Sequence, residues 1–466
     1  MDEGTKATKR GIWGWMLFDW AQQPFHTLII TFVFAPYFAS AVASDAARGQ
    51  ELWGYAAGIG GLLIALTSPA LGAIADASGP RKPWVCGFSV VGVIGCWMLW
   101  YAVPGMESVA FVMVAIVLAL VGMEFAAVFN NGLMANLVPR AELGRLSGSA
   151  WALGYLGGLV SLVIVLGFLA GQPATGKTLL GLDPLFGLDA ATREGDRASG
   201  PLTAMWYVIF VLPMFLWTPD VKRKPSAKGA VSRGLSELGK TLRRLPSERS
   251  YISFLVSSMF YRDALNALYT FGGIYAAGVL GWSIVQIGIF GILANLTGAI
   301  GAWLGGRADQ AFGPKIVVSI SIVILTICCV LVISTTRTDV LFMTVAEGSE
   351  SSVPDIIFYI AGAFIGAAGG AIQAASRTLL VDQVEKDKVT EAFGLYALSG
   401  RATSFIGPLA IAFATAFFAS EALGLSTQDA QRLGVTPIIV LFMIGLVLLP
   451  WVKSRQYEVA RAPPPA

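Results

Sequence analysis

Twelve apolar runs follow one another along this chain, with most charges confined to the segments between them, and that succession leaves few folds open. The runs lie near 12–42, 52–75, 84–103, 108–137, 148–170, 204–218, 251–278, 285–305, 316–334, 355–381, 393–419 and 435–452, the sixth being the shortest. A helix needs about 20 residues to cross roughly 30 Å of hydrocarbon, where backbone polar groups must bond to one another. Only 13% of the 466 residues are charged and mean hydropathy is +0.69, whereas soluble domains carry roughly 25% charged residues. The expected class is an all-α integral membrane protein with twelve transmembrane helices, numbered 1 to 12 in the order given.

Lys and Arg accumulate on the cytoplasmic side of membrane proteins. With the N-terminus inside, twenty-four of the 32 fall in inner segments and six in outer ones, leaving Arg262 and Arg401 within spans. That asymmetry predicts cytoplasmic N- and C-termini and turns the net charge of +3 into a topology signal, with no suggestion of nucleic acid. Lys6, Lys9 and Arg10 precede an apolar stretch broken by Asp19, Gln22 and Gln23, without a small-residue cleavage site, so the first span is expected to be retained. Cys86, Cys96, Cys328 and Cys329 all fall inside predicted spans and offer no disulfide or metal pattern. No cofactor is implied.

The chain also repeats itself. GAIADASGPRK from Gly72 and GGRADQAFGPK from Gly305 each close an apolar run. Repeats related by an axis along the membrane normal build secondary carriers with a substrate site near the midplane. The expected division is a six-helix half over 1–218, a basic linker over 219–250, a second six-helix half over 251–452 and a tail over 453–466. Within the linker Leu235, Leu238, Leu242 and Leu245 fall at helical spacing opposite Arg233, Lys240, Arg243 and Arg244. A helix lying on an anionic leaflet and a solvated tether both fit that pattern.

Polar residues inside the spans mark pathways, because a charge at mid-membrane costs about 2.5–3.5 kcal/mol on insertion scales. Helix 1 carries Asp19, Gln22, Gln23 and His26 on one helical face, and a shift of 244 residues brings Asp263, Asn266 and Thr270 of helix 7 onto Asp19, Gln22 and His26, with Arg262 added. Helix 4 brings Glu124, Asn130 and Asn131, and helix 10 brings Gln373, Ser376 and Arg377. Asp19, Gln22, Gln23, His26, Glu124, Asn131, Arg262, Asp263, Asn266 and Gln373 are therefore the candidate lining of a substrate or proton pathway. Hydrogen-bonding glue between helices, at roughly 0.6 kcal/mol per bond, is the competing reading for the amides, a hydrogen-bonded structural histidine the competing reading for His26, and a mutually neutralised structural pair that for Arg262 and Asp263. Glu124 suits a proton-carrying role, and His26, the sole histidine, suits a relay. An adjacent Arg262 and Asp263 suit a zwitterion, one holding a carboxylate and the other an ammonium.

GQPATGKT, Gly171–Thr178, satisfies the phosphate-loop pattern, yet it follows a membrane helix where that pattern needs a strand before it and a helix after it. It is read as coincidence, and the chain as no enzyme.

Long blocks carry a resemblance: WMLFDWAQQPFHTLIITFVFAPYF in helix 1, FNNGLMANLVPRAELGRLSGSAWALGYLGG over Phe129–Gly158, YRDALNAL in helix 7, and AASRTLLVDQVEKDKVTEAFGLYALSGRATSFIGP over Ala374–Pro408. In combination they resemble the vacuole-effluxer-like branch of the major facilitator superfamily. Departures are Pro80 where Arg is common, Ala264 where Gly often follows the helix 7 Asp, and Gln22–Gln23 where Asn–Ser is usual. The resemblance implies an alternating-access carrier, with amino-acid efflux the best-known role among vacuolar members, and the expected activity is proton- or other gradient-coupled transport of a small polar organic solute. The expected location is a bacterial cytoplasmic membrane, with solute, lipid and, under proton coupling, protons as partners; small-residue spacings such as Gly154/Gly158 and Gly301/Gly305 fit one bundle or two, so a monomer and an oligomer both fit. The resemblance also makes the Gly72 echo a cytoplasmic gate of Gly72, Asp76, Arg81 and Lys82, to which Asp309, Arg377 and Arg401 belong in the second half. A membrane scaffold or lipid-handling protein, its polar stripes serving as glue, is the alternative.

Overall fold

A computed structural model describes residues 6–43, 46–222, 229–282, 284–345, 352–404, 406–420 and 424–454. Linker residues 223–228 and tail residues 455–466 lie outside that description. Eleven described helices are long and apolar enough to cross a membrane. They are helix 1 (Lys9–Val42), helix 2 (Arg48–Ser78), helix 3 (Lys82–Tyr101), helix 4 (Ala110–Asn136), helix 5 (Arg140–Leu169), helix 6 (Glu194–Trp217), helix 8 (Gln286–Phe312), helix 9 (Pro314–Ile333), helix 10 (Val353–Asp382), helix 11 (Lys386–Phe418) and helix 12 (Asp429–Trp451). The twelfth expected span is present as helix 7, Arg249–Val279, whose 31 residues are long enough to cross but carry Arg262, Asp263 and Asn266 in their middle. Twelve helices were expected on length and apolarity alike, and helix 7 meets the first requirement only. The short run expected at 204–218 is the end of a longer helix, since the chain is already helical from Glu194.

Large apolar side chains are exposed along these helices, among them Leu66, Leu216 and Phe413 at 68–73%. Contiguous exposed apolar surface marks an interaction face, and here it is the face that lipid would cover.

Two compact units emerge. Unit 1 joins Met1–Pro139, Leu153–Gly239 and Lys386–Leu398, and unit 2 joins Arg140–Ala152, Lys240–Glu385 and Ser399–Ala466. The core of unit 1 is aromatic, with Phe18, Phe25, Phe34, Tyr37, Phe38, Phe129 and Tyr207 fully buried. Small residues set the helix spacing in both units. Gly154 and Gly158 of helix 5 receive Asp19, Gln23 and Thr27 of helix 1, while Gly301 and Gly305 of helix 8 receive Ala367 and Ala371 of helix 10.

Candidate functional site

Helix 1 is interrupted where its polar stripe lies. Pro24 has no N–H to give Trp20, and that carbonyl instead accepts the indole N–H of Trp206 at 3.1 Å. From Phe25 to Phe32 the backbone then winds as a π-helix, a form that recurs at functional positions. His26 sits in this segment, half-exposed, with its Nε2 4.0 Å from Oε1 of Glu124 on helix 4. Sequence alone places no acid or base near Glu124. The fold supplies one from 98 residues away.

The rest of the helix 1 stripe divides by partner. Asp19 is buried beside Gly154. Gln22 donates to the Met123 carbonyl of helix 4 at 3.0 Å, so it joins two helices. Gln23 lies along Gly158. Asn131 is half-buried, and its neighbour Asn130 is fully buried, its carbonyl accepting the Trp15 indole at 2.8 Å while its side-chain amide has no hydrogen-bond partner.

In unit 2 the paired charges of helix 7 both reach one turn of helix 11. Asp263 is 3% exposed and hydrogen-bonds the Thr403 hydroxyl. The Arg262 guanidinium lies over Gly400, where any Cβ would collide with it. Arg401, half-buried, stands between these two positions in sequence. Asn266 is exposed one turn along helix 7. Gln373 donates to the Gly369 carbonyl of its own helix at 3.2 Å, and the Arg377 guanidinium lies 4.8 Å from the Trp151 ring centre. Thr403 and Gly400 lie within the Ala374–Pro408 block without standing out in it, and the packing of helix 11 on helix 7 is what identifies them.

The first echo forms a buried polar knot. Asp76 pairs with Arg81 and accepts the backbone N–H groups of Thr390 and Glu391, at 3.4 and 2.8 Å, at the start of helix 11. A carboxylate at a helix N-terminus satisfies orphan donors and opposes the positive end of the dipole. Arg81 also donates to the Thr390 hydroxyl at 3.1 Å and to the Gly79 carbonyl. Gly72 and Gly132 both abut Thr390, and Ser68 donates to the Gly394 carbonyl at 2.8 Å, so small residues of helices 2 and 4 make the seat for this turn.

Unit 2 holds the counterpart with one part missing. Asp309 is 1% exposed and lies against Gly144 at the start of helix 5, with Thr378 donating to one oxygen and the other oxygen unpartnered. The reason is legible in the echo: Gly79-Pro-Arg-Lys becomes Gly313-Pro-Lys, and the residue lost is the arginine. Both glycines keep positive φ, 106° and 89°. The retained lysine is conformationally conserved between the copies, since Lys82 donates to the Phe215 carbonyl at the end of helix 6 and Lys315 to those of Pro450 and Val452 at the end of helix 12. Lys82 is thus a tie to helix 6 in this structure. Asp220, which the sequence reading left in the linker, accepts the N–H groups of Arg81 and Lys82 at 2.8 and 3.1 Å and caps helix 3 from a distance.

The phosphate-loop look-alike has neither strand nor helix. Its Lys177 is bound to Asp183 at 2.6 Å.

A family model described as vacuole effluxer Atg22 like matches residues 52–460. An uncharacterized MFS-type transporter, YxiO of Bacillus subtilis (strain 168), is 26% identical over 449 residues, covering 95% of this chain and 94% of its own. Among solved structures, the major facilitator superfamily transporter FucP in the outward conformation superposes with a TM-score of 0.66 at 16% identity, over 96% of this chain and 98% of that one. The proton:xylose symporter XylE superposes with a TM-score of 0.64 at 12% identity, over 97% and 98%.

Proposed function

This chain belongs to the vacuole effluxer Atg22-like family and has the major facilitator fold, and on that premise we propose that it exports a small zwitterionic solute of the amino-acid type in exchange for protons. It is a secondary transporter of the major facilitator type. Its place would be the bacterial cytoplasmic membrane, termini inside.

The observation that carries the solute class is the convergence of Arg262 and Asp263 on the Gly400–Thr403 turn. A basic and an acidic side chain at adjacent positions match the carboxylate and ammonium of a zwitterion, and a neutral sugar would not need both. Proton coupling rests on His26 and Glu124, 4.0 Å apart. The doubly ionised pair and the pair carrying one more proton differ by a full charge, so loading and release change the electrostatics that a cationic group nearby experiences. Seating of helix 11 on Asp76 and Gly72, and of helix 5 through Gly144 on Asp309, supplies contacts that would break and re-form during alternation.

The test is uptake of labelled amino acids into proteoliposomes under an imposed pH gradient. Gradient-driven flux of zwitterions that falls at least tenfold in Asp263→Asn, and loses its dependence on the gradient in Glu124→Gln, supports the reading. Flux of neutral sugars but not of amino acids would overturn the solute class while leaving the carrier in place.

A further inference from the structure

The linker helix Ala230–Arg244 presents three distinct sides. Ala230 and Gly234 are its buried side, and Gly234 lies so close to helix 2 that a Cβ would fall 2.7 Å from the Ile74 Cα. Ile74 is one turn from the end of helix 2, so the linker helix is fixed beside the end of a membrane span. At 100° per residue, Val231, Leu235, Leu238 and Leu242 fall within a stripe about 60° wide beside the buried side. Three of the stripe's members are uncovered, Val231, Leu235 and Leu242 at 57, 48 and 47% exposure, and Leu238 is half-buried. Away from the stripe stand Lys240, Arg243 and Arg244, all exposed.

We propose that this helix is an anionic-lipid docking element, its leucine stripe entering the acyl boundary of one leaflet and its basic side held by the negative charge of phospholipid headgroups. Three observations converge. An apolar stripe backed by Lys and Arg is the composition of helices that lie in the plane of a bilayer surface. The Gly234 contact holds the axis beside Ile74, one turn from the end of helix 2, a helix whose Leu62, Leu63 and Leu66 are exposed two to three turns further along. Charge complementarity selects the lipid: Lys240, Arg243 and Arg244 give the exposed side of this helix three cations, which an anionic headgroup surface attracts and a neutral one does not.

Full-length protein in lipid nanodiscs tests this, with the four native cysteines replaced and single nitroxides at Leu235→Cys, Leu242→Cys or Ser236→Cys. In discs rich in phosphatidylglycerol, labels at 235 and 242 should be oxygen-accessible and shielded from a water-soluble nickel reagent, with the reverse at 236. In pure phosphatidylcholine the shielding should weaken, and replacing Lys240, Arg243 and Arg244 by Gln should reduce the seated population in anionic discs by roughly fivefold for each charge removed. Nickel access at 235 and 242 equal to that at 236 in every lipid would overturn the proposal. So would shielding that responds neither to lipid charge nor to the Gln replacements, since the helix would then be covered by protein. A label at Leu66→Cys, on the exposed face of helix 2, reports whether the fold is intact in each variant.

Discussion

Two aspartates in equivalent echoes lead different electrostatic lives. Asp76 is paired with buried Arg81, and removing one partner of such a pair leaves the other charge uncompensated, at about 3–5 kcal/mol. Asp309 has Thr378 as a partner and a free second oxygen. Asp76→Asn should therefore lower the detergent-melting midpoint markedly, whereas Asp309→Asn should change stability by roughly 1 kcal/mol or less. Equal losses would remove the distinction between the two copies. At the same scale, His26→Gln should flatten the pH dependence of flux as Glu124→Gln does, and the double variant should be no worse than the more damaged single one, as expected of residues acting as one unit. Additive effects would separate them. The sequence exposed both residues as isolated polar groups in apolar runs, yet their meeting depends on how helices 1 and 4 rotate against each other.

Helices 1 and 3 owe their local form to partners far away in sequence. Trp206→Phe should leave the Trp20 carbonyl buried without a donor and destabilise by about 1–3 kcal/mol, while Pro24→Ala should restore a donor and convert part of the π-helical segment to α-helix. Amide hydrogen exchange over 24–32 reads both. Asp220→Ala should cost about 0.5–2 kcal/mol and speed exchange at the start of helix 3, because two N-terminal donors lose their acceptor. Outside the spans, the hairpin of Asp339–Val340 and Met343–Thr344 is tied by the Asp339 carboxylate, which accepts the Thr336 and Thr344 hydroxyls, each at 2.9 Å. Those bonds hold its pKa below the usual carboxylate range. The ionised form is thus favoured by folding, so the contribution is present above about pH 4 and fades as pH falls through the depressed value. Exchange in the hairpin should accelerate under acid, and Asp339→Asn should abolish that acceleration.

For the whole molecule, the segments at the starts of helices 5 and 11 are the informative ones. Gly72→Val sets a branched side chain on Thr390, and Gly144→Val sets one on Asp309. If seating of these turns is part of the transport cycle, both variants should lower turnover at least tenfold, about 1.4 kcal/mol in barrier, while solute binding measured in detergent persists. Loss of binding together with turnover would point to misfolding instead. Apolar run lengths, charge asymmetry and the repeated Gly-Pro loop were enough to specify a membrane bundle of duplicated design, because hydrocarbon thickness and charge solvation act on composition and order directly. The same reading singled out Asp19, His26, Glu124, Arg262 and Asp263 as candidates, since any polar group in an apolar run stands out. It did not single out Thr390, Thr403, Gly400, Trp206 or Asp220. Hydroxyls, glycines and carboxylates of these kinds are common in loops and helices, and what gives each its role is a neighbour more than a hundred residues away. The periodicity of a helix says which residues share a face, but which face meets which neighbour is decided only when the helices pack.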